Sequence, residues 1–161
     1  KGAAEGAGLG NKFLSHIREV DAIVQVVRAF ADANVTHVHD HIDPKDDAAI
    51  VNTELALADL ETVKKRMEAA ERNMKSGANK EEEARLALFR RVFRQLSEGK
   101  PARELSYTDE ERLWMKDLRL LTMKPMMYAV NLDENQEARI KNQEFDAPVI
   151  IVRARLEAEL A

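Results

Sequence analysis

The chain contains no cysteine, so a disulfide framework and a thiolate nucleophile are both excluded. A chain without cysteine is compatible with a reducing compartment such as the cytosol. Long hydrophobic runs are also missing, because no stretch approaches the roughly 18 apolar residues that cross a bilayer. We therefore expect no membrane among its partners. Only eight residues are aromatic, so alanine, leucine and methionine should dominate the core.

A strong excess of one charge is lacking as well. The formal net charge is −4, with 34% charged and 45% hydrophobic residues. This composition is that of a globular chain with a core, and it creates no overall field that attracts nucleic acid. The sequence still allows local basic patches, because the lysines and arginines are unevenly spread. The length of 161 residues suits one domain, or one domain with a protruding insert.

Three short segments are rich in β-branched and other apolar residues. Residues 22–30, 124–132 and 147–152 have the sequences AIVQVVRAF, KPMMYAVNL and APVIIV. Such runs are typical of strands buried on both faces of a parallel sheet. Apolar residues at helical spacing predict a short helix over 12–20, before the first strand. Because helical material separates the strands, the sequence predicts an α/β fold.

A long helical insert lies between the first and second predicted strands. Asp43 and Pro44 suit its start, as N-cap and first helical residue. Two apolar seams then step by three and four residues, as in helices that pack side by side. The first seam is Ala56, Leu60, Val63, Met67, Ala70 and Met74, and the second is Leu86, Phe89, Phe93 and Leu96. The turn residues SGAN (76–79) separate them, so we predict an antiparallel helical hairpin.

The chain begins with a glycine-rich stretch, KGAAEGAGLGN, over residues 1–11. The backbone freedom of glycine makes regular structure unexpected there. One interpretation is a switch segment that rearranges next to a phosphate, and its candidate residues are Gly2, Gly6, Gly8, Gly10 and Asn11. The other is a flexible linker, which has the same composition. Spacing alone does not favour the switch.

Polar residues follow the second predicted strand, where Asn131 and Leu132 are followed by Asp133 and Glu134. Ligands of open α/β sheets bind beyond the carboxyl ends of the strands. An asparagine at this edge offers both a donor and an acceptor to a nucleotide base. A polar exit from strand to loop is the simpler interpretation, and the residues alone leave both open.

Three histidines alternate at positions 37, 39 and 41, with Asp40 and Asp43 nearby. On an extended segment these histidines share one face, a spacing that can hold a transition metal. Exposed loop histidines are far more common than metal ligands, so no metal site is assigned. No arrangement of serine, histidine and aspartate indicates a nucleophilic triad.

Four segments together resemble the Obg-like ATPase (YchF) family of P-loop proteins. Residues 1–30 resemble the family's segment after its second switch and the following strand. The sequence THVHDHIDPKDDAAIVNTELALADLE (36–61) resembles the entry to its helical insert and is the most particular match. LTMKPMMYAVNLDE (121–134) resembles the strand with the base-recognition motif, and VIIVRARLEAEL (149–160) the last loop that contacts the base.

The resemblance implies roles for individual residues. Asn131, Leu132 and Glu134 fall on the family's N-x-x-E motif, which accompanies acceptance of ATP, with the backbone at Leu132 contacting the nucleotide. Ala154 and Arg155 match the loop that closes over the base. The family usually has a small residue where this chain has Arg153, so the detail of that contact differs.

Other family features have no counterpart in this sequence. The phosphate-binding pattern G-x-x-x-x-G-K-[ST] does not occur. The resemblance implies a central fragment of the family's proteins, so the catalytic residues are expected upstream of Lys1 and the family's TGS domain is expected to be missing from the chain. By resemblance, the intact protein is a cytoplasmic, ribosome-associated switch that binds and hydrolyses ATP, or GTP, with Mg²⁺. The chain alone is expected neither to bind nucleotide tightly nor to hydrolyse it.

The resemblance also divides the chain into three parts. Residues 1–42 correspond to the switch-following segment, helix and strand of a partial P-loop G domain. Residues 43–105 form the inserted coiled-coil hairpin, and residues 106–161 the remainder of the G domain with the base-recognition motifs.

An alternative function is a binding module in which the hairpin contacts RNA or a protein. A basic cluster towards its tip supports this: Lys64, Lys65, Arg66, Arg72, Lys75 and Lys80. RNA binding through phosphates would weaken steeply with salt. Neighbouring glutamates, at 61, 68, 71 and 81–83, make an ordinary solvated face the competing interpretation. A chain with no activity of its own is compatible with either function.

Overall fold

The computed structural model describes residues 8–30, 43–77, 79–133 and 145–160. Within them lie α1 (Gly8–Glu19), β1 (Ile23–Arg28), α2 (Pro44–Gly77), α3 (Lys80–Ser97), α4 (Asp109–Lys116), β2 (Met126–Asn131), β3 (Val149–Val152) and α5 (Ala154–Leu160). Short 3₁₀ turns cover Ala102–Glu104 and Leu121–Met123. The chain forms two compact units, 1–21 with 52–124 and 22–51 with 125–161.

The sheet belongs to the second unit and consists of three parallel strands in the order β1-β2-β3. Val26 is paired with Ala129, and Ala129 with Ile150. This arrangement confirms the predicted α/β fold with a parallel sheet. One face of the sheet packs into an apolar cluster that contains Val27, Tyr128, Val130 and Leu132.

The prediction that all three strands are buried on both faces is correct only for β2. On β1, Val27 is 2% exposed, but Val24 and Val26 are 54% and 70% exposed. Ile150 on β3 is also exposed. Successive side chains of a strand point to opposite faces, so the exposed residues all lie on the face opposite Val27. An apolar run in the sequence cannot tell whether another segment covers each face.

The predicted start of the first helix was wrong by four residues. Helix α1 begins at Gly8 rather than at residue 12, so Gly8, Gly10 and Asn11 lie within regular structure. Glycine in a helix costs about 1 kcal/mol relative to alanine. The glycines of this segment therefore led to the prediction of a later helix start. Packing of the helix compensates for this cost, since Leu14 is only 6% exposed. Gly2 and Gly6 lie outside the described residues.

Helices α2 and α3 form the predicted hairpin. The side chain of Asp43 accepts from the backbone N–H groups of Lys45 and Asp46, at 2.9 and 3.2 Å, which confirms it as the N-cap. Only residues 78 and 79 separate the two helices, and Asn79 caps α3 by accepting from Glu82 N–H at 2.8 Å. The seams meet in one apolar cluster that includes Ala56, Val63, Leu88, Phe89, Val92 and Leu96.

Helix α2 has 34 residues and is therefore about 51 Å long at about 1.5 Å per residue. Its turn towards α3 is flanked by an ion pair between Glu71 and Arg90, with 2.9 Å between nitrogen and oxygen. Gly99, after α3, has a φ of 75°, which is the left-handed conformation expected of a glycine that follows a helix. Across the described parts of the chain, no helix is long and apolar enough to cross a membrane.

Candidate functional site

The carboxyl edge of the sheet is organised by Asn131, the last residue of β2. The backbone N–H of Ala154 donates to its Oδ1 at 3.1 Å. Because the partner is an N–H donor, the side-chain atom facing it must be the oxygen. The backbone carbonyl of Asn131 accepts from Ala29 N–H at 2.9 Å. One asparagine thus joins the end of β2 to the start of α5 and to the residue after β1.

Leu132 continues this edge in the interior. Its side chain is 4% exposed and belongs to the apolar cluster under the sheet. Its backbone N–H donates to the carbonyl of Val152 at 2.9 Å. With the side chain buried, any contact of Leu132 with a ligand has to come from its backbone. Glu134, the acid of the predicted motif, lies outside the described residues.

Ala154 and Arg155 open helix α5. The first turn of this helix is bridged by a hydrogen bond from the backbone N–H of Arg153 to the Glu157 carboxylate, at 3.1 Å. Arg155 is exposed, and its Nε lies 3.6 Å from Oε1 of Glu159 in an ion pair. The structure therefore brings Asn131, Leu132, Ala154 and Arg155 together at one edge of the second unit.

Of the switch-segment candidates, Gly8, Gly10 and Asn11 lie in the first unit, and Gly2 and Gly6 lie outside the described residues. The histidines at 37, 39 and 41 fall outside the described residues. Among the residues the structure describes, no group of three histidine or acidic side chains is arranged to hold a metal ion.

Sequence analysis missed a buried polar network around Asp59 in the first unit. The Asp59 side chain is fully buried, and its carboxylate accepts from the backbone N–H of Leu121 at 2.9 Å. The N–H and hydroxyl of Thr122 donate to the same carboxylate at 2.7 and 2.8 Å. Arg18, on α1, approaches it at 3.4 Å. A signal was present in the sequence, because Leu55 and Val63, four residues to either side, are apolar and buried.

The same network anchors the end of α1. The Arg18 guanidinium donates to the Thr62 hydroxyl at 3.2 Å and to the carbonyl of Arg119 at 3.1 Å. The Lys124 ammonium donates to the carbonyl oxygens of Arg18 and Val20. These bonds tie the carboxyl end of α1 to α2 and to the segment that leads towards β2.

Burial raises the pKa of the Asp59 carboxyl above its ordinary value, since water no longer solvates the charge. The hydrogen bonds from Thr122 and Leu121 and the charge of Arg18 act in the opposite direction. Leu121, Thr122 and Arg18 all donate to this carboxyl group, so the geometry suits the ionised carboxylate. The network therefore has a structural role, and its stability depends on all the donors remaining in place.

No family model matches the chain. The Ribosome-binding ATPase YchF of Bacillus subtilis is 42% identical over 172 residues, covering 100% of this chain and 47% of that protein. Obg-like ATPase 1 of Saccharomyces cerevisiae is 42% identical over 147 residues, covering 89% of this chain and 37% of that protein.

Among solved structures, the YchF GTPase of Schizosaccharomyces pombe matches with a TM-score of 0.82 and 35% identity, over 96% of this chain and 46% of that one. The fold is thus that of a parallel α/β protein with a helical hairpin, the class to which the Schizosaccharomyces pombe structure belongs. The chain belongs to the Obg-like ATPase (YchF) family. It spans about half the length, or less, of the relatives it matches.

Proposed function

We propose that this protein is a nucleotide-dependent switch enzyme that binds and hydrolyses ATP, or GTP, and acts with the ribosome in the cytoplasm. The observation that carries the proposal is the hydrogen bond between Asn131 and Ala154, which joins the two segments that we assign to base recognition. The names of the relatives support it, since they are called ribosome-binding ATPase, Obg-like ATPase and GTPase.

The chemistry of the edge suits a purine base. Oδ1 of Asn131 is engaged by Ala154, so the side-chain amide offers its nitrogen as the donor to a ligand. Adenine and guanine both present N7 as an acceptor, so this donor serves either base. The backbone around Leu132 and the first turn of α5, with Arg155, would flank the base. Discrimination between ATP and GTP then depends on other contacts, among which we place Glu134.

Phosphate and Mg²⁺ contacts must come from residues other than those described. P-loop proteins hold the phosphates with backbone N–H groups and a lysine, and the metal with a hydroxyl and an aspartate. This sequence has no such motif, and its described residues offer no cluster of metal ligands. We therefore propose that the base edge alone binds nucleotide weakly.

Calorimetry on this 161-residue chain tests that proposal. With ATP and Mg²⁺ we expect no binding in the micromolar range and no release of phosphate. A full-length relative of the family, measured alongside, should bind in the same assay. Micromolar binding by the chain itself would show that it contains phosphate contacts that the sequence does not reveal.

A second function is favoured by the charge of the part of the hairpin between residues 61 and 97. Between residues 61 and 97 the sequence has ten basic and six acidic residues, in a chain of net charge −4. Lys64, Lys65, Arg72 and Lys75 are all exposed on α2. Two glutamates of the region, Glu71 and Glu81, are engaged in ion pairs with arginines of α3. We propose that this surface contacts RNA through its phosphates.

A further inference from the structure

A groove opens between the hairpin and α4, on the side near the hairpin turn. Its open space is about 180 Å³. Phe89 and Leu118 form its apolar floor and are 7% and 6% exposed. The small side chains of Ala69 and Ala70 leave the space unfilled on the α2 side. All of these residues belong to the first unit.

The wall of the groove carries an aromatic ring with a guanidinium group over it. The Arg85 guanidinium carbon lies 5.1 Å from the centre of the Trp114 ring, within the range of a cation–π contact. The Arg85 side chain remains 44% exposed. Aromatic rings, including indole, and guanidinium planes are surfaces on which proteins stack unpaired RNA bases.

The rim of the groove carries both donors and acceptors. Arg66 and Asn73 line it from α2, and Glu82 and Asp117 line it from α3 and the end of α4. Carboxylates accept hydrogen bonds from the exocyclic amino groups of bases. The groove is thus matched to a flat group with an amino edge, and it lies against the part of the hairpin, residues 61–97, where basic residues outnumber acidic ones.

We propose that this groove receives an unpaired, amino-bearing base of single-stranded RNA, stacked against Trp114 and Arg85, while the basic hairpin residues hold the phosphates. The proposal rests on the second function above, contact of the hairpin with RNA. It goes further by separating a base-specific contact from the phosphate contacts, which carry no sequence information. An acidic peptide would use the charges of the hairpin but not the stacking surface.

Trp114 is the only tryptophan of the chain, so its fluorescence reports on the groove directly. We would titrate the chain with a short oligocytidylate and with an abasic ribose-phosphate strand of the same length. We expect quenching or a spectral shift of the Trp114 emission with oligocytidylate only. Fluorescence anisotropy of labelled strands would measure the affinity of each independently.

A groove-filling variant, Ala70→Leu, adds bulk without changing charge, and leucine is a good helix former. We expect it to weaken oligocytidylate binding about tenfold, within the range for loss of one stacked base, and to leave the affinity for the abasic strand unchanged. The matched control is Ala87→Leu, at an exposed alanine of α3 that does not line the groove. Circular dichroism melts of both variants confirm that they fold.

The outcomes separate the two proposals. Salt-dependent RNA binding with unchanged Trp114 emission and no effect of Ala70→Leu would overturn the groove and leave the hairpin surface standing. Absence of RNA binding altogether would overturn both. Equal quenching by polyglutamate and by oligocytidylate would also overturn the base site, because the groove would then not be selecting a base.

Discussion

At the scale of single residues, Asn131 combines a structural and a recognition role in one side chain. Its oxygen holds Ala154, and its nitrogen is the group we assign to the base. A substitution that keeps the oxygen but removes the nitrogen therefore tests the recognition role without the structural one. Aspartate keeps an acceptor for the N–H of Ala154 but has no donor to offer.

In a full-length protein of this family that carries this sequence, Asn131→Asp should keep the melting temperature within a few degrees and weaken ATP binding about tenfold. That factor corresponds to one hydrogen bond of about 1 kcal/mol and the repulsion between the added charge and the base acceptor. Asn131→Ala should lower both stability and affinity. Calorimetry and thermal melts measure the two effects, and unchanged affinity in Asn131→Asp would contradict the assignment.

Asp59 illustrates the opposite case, a charged residue whose role is internal. We expect Asp59→Ala to lower the free energy of unfolding by about 3–5 kcal/mol, because it leaves buried N–H groups at Leu121 and Thr122 without an acceptor. Urea denaturation measures this change. Glu61→Ala, at an exposed position of the same helix, is the control and should change stability by less than about 0.5 kcal/mol. Similar values for the two variants would show that the network contributes little.

At the scale of elements, the hairpin depends on the face of α3 that packs into the apolar cluster. Leu88 is 2% exposed within that cluster, whereas Leu113 on α4 is 67% exposed. Truncation of a buried leucine loses its transfer free energy and leaves a cavity. We expect Leu88→Ala to cost about 2–5 kcal/mol of unfolding free energy, and Leu113→Ala to cost almost nothing. Comparable losses for both would mean that the helices do not pack as described.

The order and type of the elements follow largely from local signals. The N-caps at Asp43 and Asn79 are residue types that favour a helix start, and both are observed. The bounds are less predictable. Residues 8–11 are helical although the pattern indicates irregular structure, and α2 extends through Gly77 where turn residues predict an earlier end. In both places glycine penalises helix formation without preventing it.

At the scale of the whole molecule, charge is divided unevenly along the chain. The region 61–97 has a surplus of four basic residues, although the chain as a whole is acidic. A surface of this kind attracts polyanions locally, and salt weakens the attraction because binding releases counterions from the nucleic acid. This property belongs to the set of residues and not to any one of them.

We expect weaker binding of RNA, whatever its sequence, when glutamine replaces Lys64, Lys65, Arg72 and Lys75. The slope of log affinity against log salt should become shallower by up to about 0.7 per lost contact for single-stranded RNA. Anisotropy titrations at several salt concentrations measure this slope. The double variant Glu61→Gln with Glu68→Gln should instead strengthen RNA binding. An unchanged salt slope in the variant that lacks the four basic residues would contradict RNA contact at the hairpin.

The sequence by itself determined the α/β class, the helical hairpin and the family resemblance, because periodicity, capping residues and motifs are local and need no knowledge of distant segments. Only the tertiary structure decided which face of β1 is buried, which donors surround Asp59, and that Trp114 and Arg85 border one groove. Those features arise where residues far apart in sequence meet, as when Arg18 and Thr122 both donate to the Asp59 carboxylate. Exposure and partners depend on what packs nearby, and an isolated stretch of sequence does not contain that information.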